Sequence, residues 1–428
     1  MDNLPDNLVI YILSFLPVRD LTQCRAISNR FRVLADSFLD GRLRVNSRII
    51  GEDPRVRRLF SNALDQLWTK LVQKKKMAIF HLLWDFSDLD LVYAEKNSII
   101  RWVRTAVACN VRVMSIHLRS GSLPLPVCVY ELESLEYLSL RKINLRNLHE
   151  IDARFSSLEV ISLSWVTVSE SPLLGQWITK NCPRLKELTV EYVDGVQILN
   201  LSSTSLEKLR IANWREDGLL QVTVSAERLK TMIFWFVNSA NGRSTSLRIA
   251  AQNLESLSLG GEILDQYQLG NLNNLQEAYL YYTGYDPFQN TTARTVDQNL
   301  IEIVRGVSWT RRIISHEFFI KPLIERRLQQ FLAIFVRAES LSVGIYSQNF
   351  PFRIITSLVE ALFRNLRIIN LTCSKIRMGQ LGEINISPLM NPIDKKELSR
   401  MISVMMGNVR YITIDDNSDW HLTIRIYN

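Results

Sequence analysis

The side chains that could do chemistry are few and scattered in this 428-residue sequence. Its histidines are His81, His117, His149, His316 and His421, and none has another His, Cys or carboxylate at a convincing ligand spacing. The cysteines, Cys24, Cys109, Cys128, Cys182 and Cys373, form no C-x-x-C and read as reduced thiols of a cytoplasmic or nuclear protein. Asp415, Asp416 and Asp419 offer oxygen donors for a hard cation, but a polar loop after a strand explains them as well. Asp85, Asp88 and Asp90 read likewise as a turn after the strand "MAIFHLLWDF". There is no Gly-rich phosphate loop, no H-E-x-x-H and no G-x-S-x-G. The expectation is a non-catalytic chain with no metal and no cofactor.

Two features suit contact better than catalysis. Tyr279 and Tyr281 lie two apart in "EAYLYY" and share one face of a strand, with Leu280 opposite. Aromatics on an outward face anchor partners, although packing under the stretch Tyr281 to Arg294 accounts for them equally. The second feature is charge. Residues 42–76 hold ten Lys/Arg against Glu52, Asp53 and Asp65, which supplies +7 of the chain's net +8. The remainder is nearly neutral, so a nucleic-acid coat is not expected. A solvated junction explains the basic segment, and a phosphate or acidic-protein contact is the sharper alternative.

The elements that must carry these residues follow from repetition. "SLEYLSL" starts at Ser134, "SLEVISL" at Ser157, "RLKELTV" at Arg184, "SLEKLRI" at Ser205, "RLKTMIF" at Arg228, "NLESLSL" at Asn253 and "NLQEAYL" at Asn274. Weaker copies start at Asn110, Arg337, Asn365 and Asn408. From Val111 to Leu275 the first apolar positions are 24, 23, 27, 21, 23, 25 and 21 residues apart, the leucine-rich-repeat range. Leu138, Leu188, Leu209 and Leu257 should point into a core, and Ser139, Thr189 and Ser258 should point outward. One strand with its return cannot bury its own apolar side, so neighbours must stack. "LLGQWITKNCPRL" reads as a returning helix and "VDGVQILNLSSTSL" as an extended return. The regularity breaks near 281–336, where a helix near Asp297 to Val304 and a degenerate strand in "RRIISHEFFI" fit the gap. A helix capped by Asp394 and a final strand close the chain.

The start of the chain differs. Leu8, Ile12 and Leu16 recur every fourth residue after Pro5, and Pro17 ends that helix. Asp20 can cap a second helix with Leu21, Cys24 and Ile27, and a third runs to Gly41. So small a unit carries more apolar side chains than it can bury, so it either caps the next domain or faces a partner. Asp2 and Asp6, with an apolar run broken by Tyr11 and Ser14, do not make a secretory signal. No window offers the roughly 20 apolar residues of a membrane span.

The segment "LPDNLVIYILSFLPVRDLTQCRAISNRFRVL" resembles an F-box over residues 2–41, with Phe31 where many plant F-boxes have tryptophan. The resemblance implies attachment to the Skp-type adaptor of a cullin-RING ubiquitin ligase. Carried over residue by residue, it marks Leu4, Pro5, Leu8, Ile12, Leu16, Pro17 and Leu21 as the adaptor face. The stretch Ser98 to Leu118, "LPLPVCVYELESLEYLSL" and the Cys182 to Leu188 unit resemble plant F-box/leucine-rich-repeat proteins over most of residues 77–280. The expected fold is α/β: a three-helix F-box over 1–41, a basic helical junction over 42–76, then a leucine-rich-repeat solenoid over 77–428. Its parallel strands would line the concave face, with a mixed helix/extended convex face. The implied function is a substrate receptor of an SCF-type ligase, with Tyr279 and Tyr281 as candidate substrate contacts and neither nucleic acid nor membrane as partner. A small-molecule-sensing receptor and a non-degradative scaffold are the alternatives. A hydrolase on a repeat scaffold lacks any nucleophile–base pair.

Overall fold

The computed structural model describes residues 42–49, 53–74, 77–86, 92–169, 173–213, 218–237, 244–282, 293–325, 337–345, 368–373, 409–415 and 420–426, with 23–24, 27–28 and 30. The chain forms two compact units, Met1–Leu206 with Glu216–Leu219 and Glu207–Arg215 with Leu220–Asn428.

The first unit is a solenoid-like ladder of parallel strands. These are β1 (Arg42–Asn46), β2 (Ile79–Trp84), β3 (Val113–Leu118), β4 (Tyr137–Arg141), β5 (Val160–Ser164) and β6 (Glu187–Glu191). The register never slips: Arg42 faces Ile79, Ile79 faces Val113, Val113 faces Tyr137, Tyr137 faces Val160 and Val160 faces Glu187. Alternation fixes it, because a one-residue slip would turn Leu138 and Leu140 to solvent. β1 brings part of the basic segment into the ladder, so that segment is not helical throughout. It is helical over α1 (Pro54–Lys74).

Polar residues ahead of the first leucine of four repeats have a structural task. The Ser134 and Ser205 hydroxyls donate to the Val111 and Leu185 carbonyls at 3.1 and 2.9 Å. In the second unit, the Asn253 and Asn274 amides donate to the Glu227 and Gln252 carbonyls at 2.8 and 3.0 Å. Each ties its repeat to the turn of the one before, satisfying backbone carbonyls that the ladder leaves over.

The returning segments are mixed, as expected. Leu123–Pro124, Ile143–Arg146 and Thr167–Ser169 form a second short parallel sheet. Helix α2 (Val92–Ala108) buries Ile99, Trp102, Val103 and Ala106. Helix α3 (Leu174–Asn181) packs on the strand Ile198–Ser203. Gly175 permits that approach, since a β-carbon there would stand 2.2 Å from the Asn200 carbonyl oxygen. The α3 residue Trp177 meets Tyr130 and Phe155 edge-on at 5.7 and 6.1 Å.

Arg57 departs from the reading of the basic segment as a solvated junction. It is 2% exposed and pairs with buried Glu95 at 2.6 Å. Glu95 also accepts from the Trp84 indole at 2.9 Å, and the Arg57 guanidinium donates to the Asp85 carbonyl at 2.7 Å. Trp102 completes the cluster, edge-on to Trp84 at 5.4 Å and donating to Asp65 at 2.8 Å.

The second unit repeats the plan with β7 (Lys208–Asn213), β8 (Thr231–Phe236), β9 (Ser256–Gly261), β10 (Glu277–Tyr282), β11 (Arg312–His316), β12 (Ser340–Ile345) and β13 (Ile368–Cys373), all parallel. The break near 281–336 therefore hides a full rung, with Glu277 facing Arg312 and Arg312 facing Ser340. The long spacing accommodates α4 (Ala293–Gly306), which lies against the returning strand Gln266–Leu269. The buried amide of Asn299 fixes it, donating to the Leu264 and Asp265 carbonyls at 2.9 Å each. α5 (Glu317–Glu325) follows β11. The end of the sheet is antiparallel, in place of one final strand: β14 (Val409–Asp415) pairs with β15 (Trp420–Ile426), which pairs with β13. The expected helix at Asp394 lies outside the described residues.

The repeat frame holds residue by residue. Leu138, Leu188, Leu209 and Leu257 are buried, and Thr189 and Ser258 are half-buried on the outward side. Ser139 is outward too, but it is buried under His117, whose ring nitrogen lies 2.8 Å from its hydroxyl.

Candidate functional site

The outward side of the second unit carries an aromatic strip. In the row set by register, Ala212, Trp235, Gly260 and Tyr281 lie side by side on β7 to β10. Gly260 lets Trp235 lie over the sheet: a β-carbon on Gly260 would stand 2.3 Å from an indole ring carbon. Tyr281 then contacts His316 of β11 with ring centroids 4.5 Å apart, and Tyr279 at 5.9 Å. Ile233 and Ile314, also half-buried, flank the strip. The Tyr279 hydroxyl donates to Glu277 at 2.9 Å, and that bond to a carboxylate raises its pKa by favouring the neutral phenol. Glu277 is also bound by Arg312 at 2.6 Å. Burial lowers the pKa of His316, so the ring joins the strip neutral at pH 7. Half-buried rings on a rigid ladder are already desolvated on one side and lose little rotamer freedom when a partner covers the other.

At the entry to these strands lies a groove of about 560 Å³ lined by Glu207, Arg228, Lys230, Asn253, Glu255, Asn274 and Gln276. Every lining residue is polar or charged, so the groove lacks the apolar walls of a small-molecule site.

The outward side of the first unit has different chemistry. His117 sits between two hydroxyls, 2.8 Å from Ser139 and 3.2 Å from Ser115. Its pKa is lowered by burial and then by Arg141; that of His81 is lowered by burial, then Arg44, then His117. Beyond β5, the Arg141 guanidinium lies 5.9 Å from the Trp165 ring, and Trp165 stacks on Tyr192 at 4.6 Å.

The structure brings the candidates Tyr279 and Tyr281 together on one outward face, with Leu280 buried behind. It adds Trp235 and His316, which sequence reasoning missed. Trp235 was open to the same frame that placed Tyr281, as the third outward position of its strand. His316 was hidden by the long spacing ahead of β11. The adaptor-face candidates Leu4, Pro5, Leu8, Ile12, Leu16, Pro17 and Leu21 lie outside the described residues, as does 283–292 of the stretch after Tyr282.

Comparison with known proteins bears on the two ends of this arrangement. Residues 1–43 match the F-box-like family, and residues 99–277 match the leucine-rich repeats of FBD-associated F-box protein At5g56370. The chain thus joins an F-box-like segment to leucine-rich repeats similar to those of plant F-box proteins. It is similar to putative FBD-associated F-box protein At5g53635 of Arabidopsis thaliana, 29% identical over 49% of this chain and 48% of that protein. It is also similar to F-box/FBD/LRR-repeat protein At5g56420 of Arabidopsis thaliana, 26% identical over 55% of each. A third relative, putative FBD-associated F-box protein At5g56560 of the same plant, is 27% identical over 51% of this chain and 50% of its own length. The chain thus spans about half the length of the curated relatives it matches. F-box segments generally bind Skp-type adaptors, and the family is generally non-catalytic, so an F-box with repeats supports an adaptor or receptor role.

Proposed function

We propose that this chain is the substrate-recognition subunit of an SCF-type ubiquitin ligase. Its F-box holds a Skp-type adaptor, and through it a cullin, while the outward strand faces hold a protein substrate. The observation that carries this reading is one chain joining an F-box-like segment to a ladder that presents the strip Trp235, Tyr281 and His316 outward. The chain's contribution is positioning: joint binding raises the effective concentration of target lysines near the charged conjugating enzyme. The polar lining of the strand-entry groove favours a protein substrate over a small-molecule signal.

The test has two arms on the full chain, each with folding checked by circular dichroism. Leu8→Asp and Ile12→Asp are expected to abolish co-purification of the adaptor and cullin. Trp235→Ala and Tyr281→Ala are expected to keep the adaptor and lose proteins that accumulate on the chain when the proteasome is inhibited. Undiminished adaptor binding by both F-box variants overturns the attachment. An unchanged partner list in both strip variants overturns the docking face.

A further inference from the structure

The edge at which the chain enters β7 to β10 carries charges that do not pair with one another. Backbone bonds set Glu207, Lys230, Glu255 and Gln276 side by side: the Lys230, Glu255 and Gln276 amides donate to the Glu207, Lys230 and Glu255 carbonyls at 2.9, 2.9 and 2.8 Å. Arg228 lies two residues ahead of Lys230 and lines the same groove of about 560 Å³. At the corresponding positions of the first unit the charges do pair, Arg112 with Glu136 at 2.6 Å and Lys186 with Glu159 at 2.8 Å. Among the described residues, none of Glu207, Arg228, Lys230 and Glu255 takes part in an ion pair.

We propose that this groove docks a helix of a partner protein whose face carries a base at position i, an acid at i+3 or i+4 and a base at i+7. The proposal rests on the reading of the ladder as the recognition surface, but uses a different part of it from the aromatic strip. Charge complementarity selects the side chains. Glu207 and Glu255 flank Lys230, so the row reads negative, positive, negative, and the partner must read the reverse. Arg228 doubles the central cation, which accommodates acids at i+3 and i+4 together. The two carboxylates repel a phosphate chain, and a lining without apolar side chains offers a lipid surface nothing to bury.

Spacing selects the helix. Adjacent strands stand about 4.8 Å apart, so the second and third charges of the row fall about 4.8 and 9.6 Å from the first. A helix lying across the strands presents i+3, i+4 and i+7 at about 4.5, 6 and 10.5 Å from i. An extended segment presents its same-side residues at about 6.7 and 13.4 Å, so its third charge overshoots Glu255 by about 4 Å. Beyond Glu255 the groove ends in acceptors. The Asn274 amide donates to the Gln252 carbonyl at 3.0 Å, and the Gln276 amide donates to the Asn274 carbonyl at 3.1 Å. Their side-chain carbonyl oxygens are left to take a hydrogen-bond donor one turn past i+7. Exposed charges stay hydrated until a partner covers them, so the pattern governs specificity and salt dependence more than raw affinity.

The test selects a phage-displayed library on the full chain. The library is an alanine-rich helix with i, i+3, i+4 and i+7 randomised, and a library of extended, proline-flanked peptides is selected in parallel. The expected winners are helices with Lys or Arg at i and i+7 and Asp or Glu at i+3 or i+4. A synthetic winner should bind at least tenfold more weakly to Lys230→Glu and to Glu255→Lys, and more weakly as salt is raised. The same helix with its central acid replaced by lysine should regain binding to Lys230→Glu. Lys230 and Glu255 are exposed, so both variants are expected to fold, which circular dichroism checks. Winning helices without this charge pattern, binding indifferent to Lys230→Glu, or winners confined to the extended library overturn the proposal. So does a dimer of the chain, seen by light scattering, that Lys230→Glu dissolves, because a second copy then fills the groove. Trp235→Ala and Tyr281→Ala should leave helix binding unchanged. Failure of helix selection while strip-dependent capture persists refutes the groove alone, and the reverse result refutes the strip alone.

Discussion

A β-carbon on Gly260 would stand 2.3 Å from a ring carbon of Trp235, whereas one on Gly261 would stand 1.9 Å from the Phe236 carbonyl oxygen with φ at +90°. Adjacent glycines therefore fail differently. Gly261→Ala clashes with backbone in a left-handed conformation and is expected to cost about 1–3 kcal/mol, read from urea unfolding. Gly260→Ala clashes only with a side chain that can swing outward, the Tyr281 carbonyl oxygen standing back at 3.1 Å; it should disturb the unfolding midpoint less than Gly261→Ala while lifting the indole and weakening partner capture as Trp235→Ala does. Histidines give a second test. His81, His117 and His316 have folded pKa values below the ordinary 6.5, so the unfolded chain binds more protons in that range. Their contribution to stability is complete above about pH 6.5 and is lost as pH falls through the lowered folded values. Urea midpoints taken from pH 7 to pH 5 should fall, and fall less steeply in His117→Gln.

At the scale of the element, the strands of the ladder are fixed by their inward apolar residues and, at Ser134, Ser205, Asn253 and Asn274, by a polar side chain that ties the repeat to the previous turn. Leu188 and Leu209 are 1% and 2% exposed. Leu188→Ala and Leu209→Ala should each cost about 2–5 kcal/mol in chemical denaturation, the range for a cavity that collapses only partly. Ser205→Ala should cost about 1 kcal/mol, the value of one hydrogen bond to a carbonyl. The junction of α1 with the ladder is governed by charge. Glu95→Ala strands the 2%-exposed Arg57 guanidinium and should cost about 3–5 kcal/mol, well above the effect of removing exposed Asp152 from its 2.6 Å pair with Lys180. Thermal melts of the two variants side by side check the ranking.

On the scale of the whole molecule, attachment and recognition occupy different stretches of sequence, and the prediction is that they separate. Ile12→Asp should lose the adaptor yet keep the proteins captured by the strip, and the double variant Trp235→Ala with Tyr281→Ala should do the reverse. Quantitative co-purification of both sets from one preparation measures this. A variant of either class that loses both sets while remaining folded would show one shared surface in place of two. Repeat ladders make separation the physical expectation, because each repeat depends chiefly on its neighbours.

The sequence by itself determined the ladder and its inward face. Leu135, Leu138 and Leu140, and their counterparts down the chain, can be buried together only in parallel strands stacked one repeat apart, so period and burial were legible without coordinates. The two outward tyrosines followed from the same alternation. Tertiary structure alone decided what stands beside them. Ser139 is buried because a histidine 22 residues earlier covers it, and Arg57 is buried because Glu95 lies in the next helix. His316 joins the strip only because β11 keeps register across a spacing that looked like a break. Alternation tells which side a residue is on, since that depends on its own parity along the strand. Which residues meet across strands depends on register between segments distant in sequence, and the folded core sets that register.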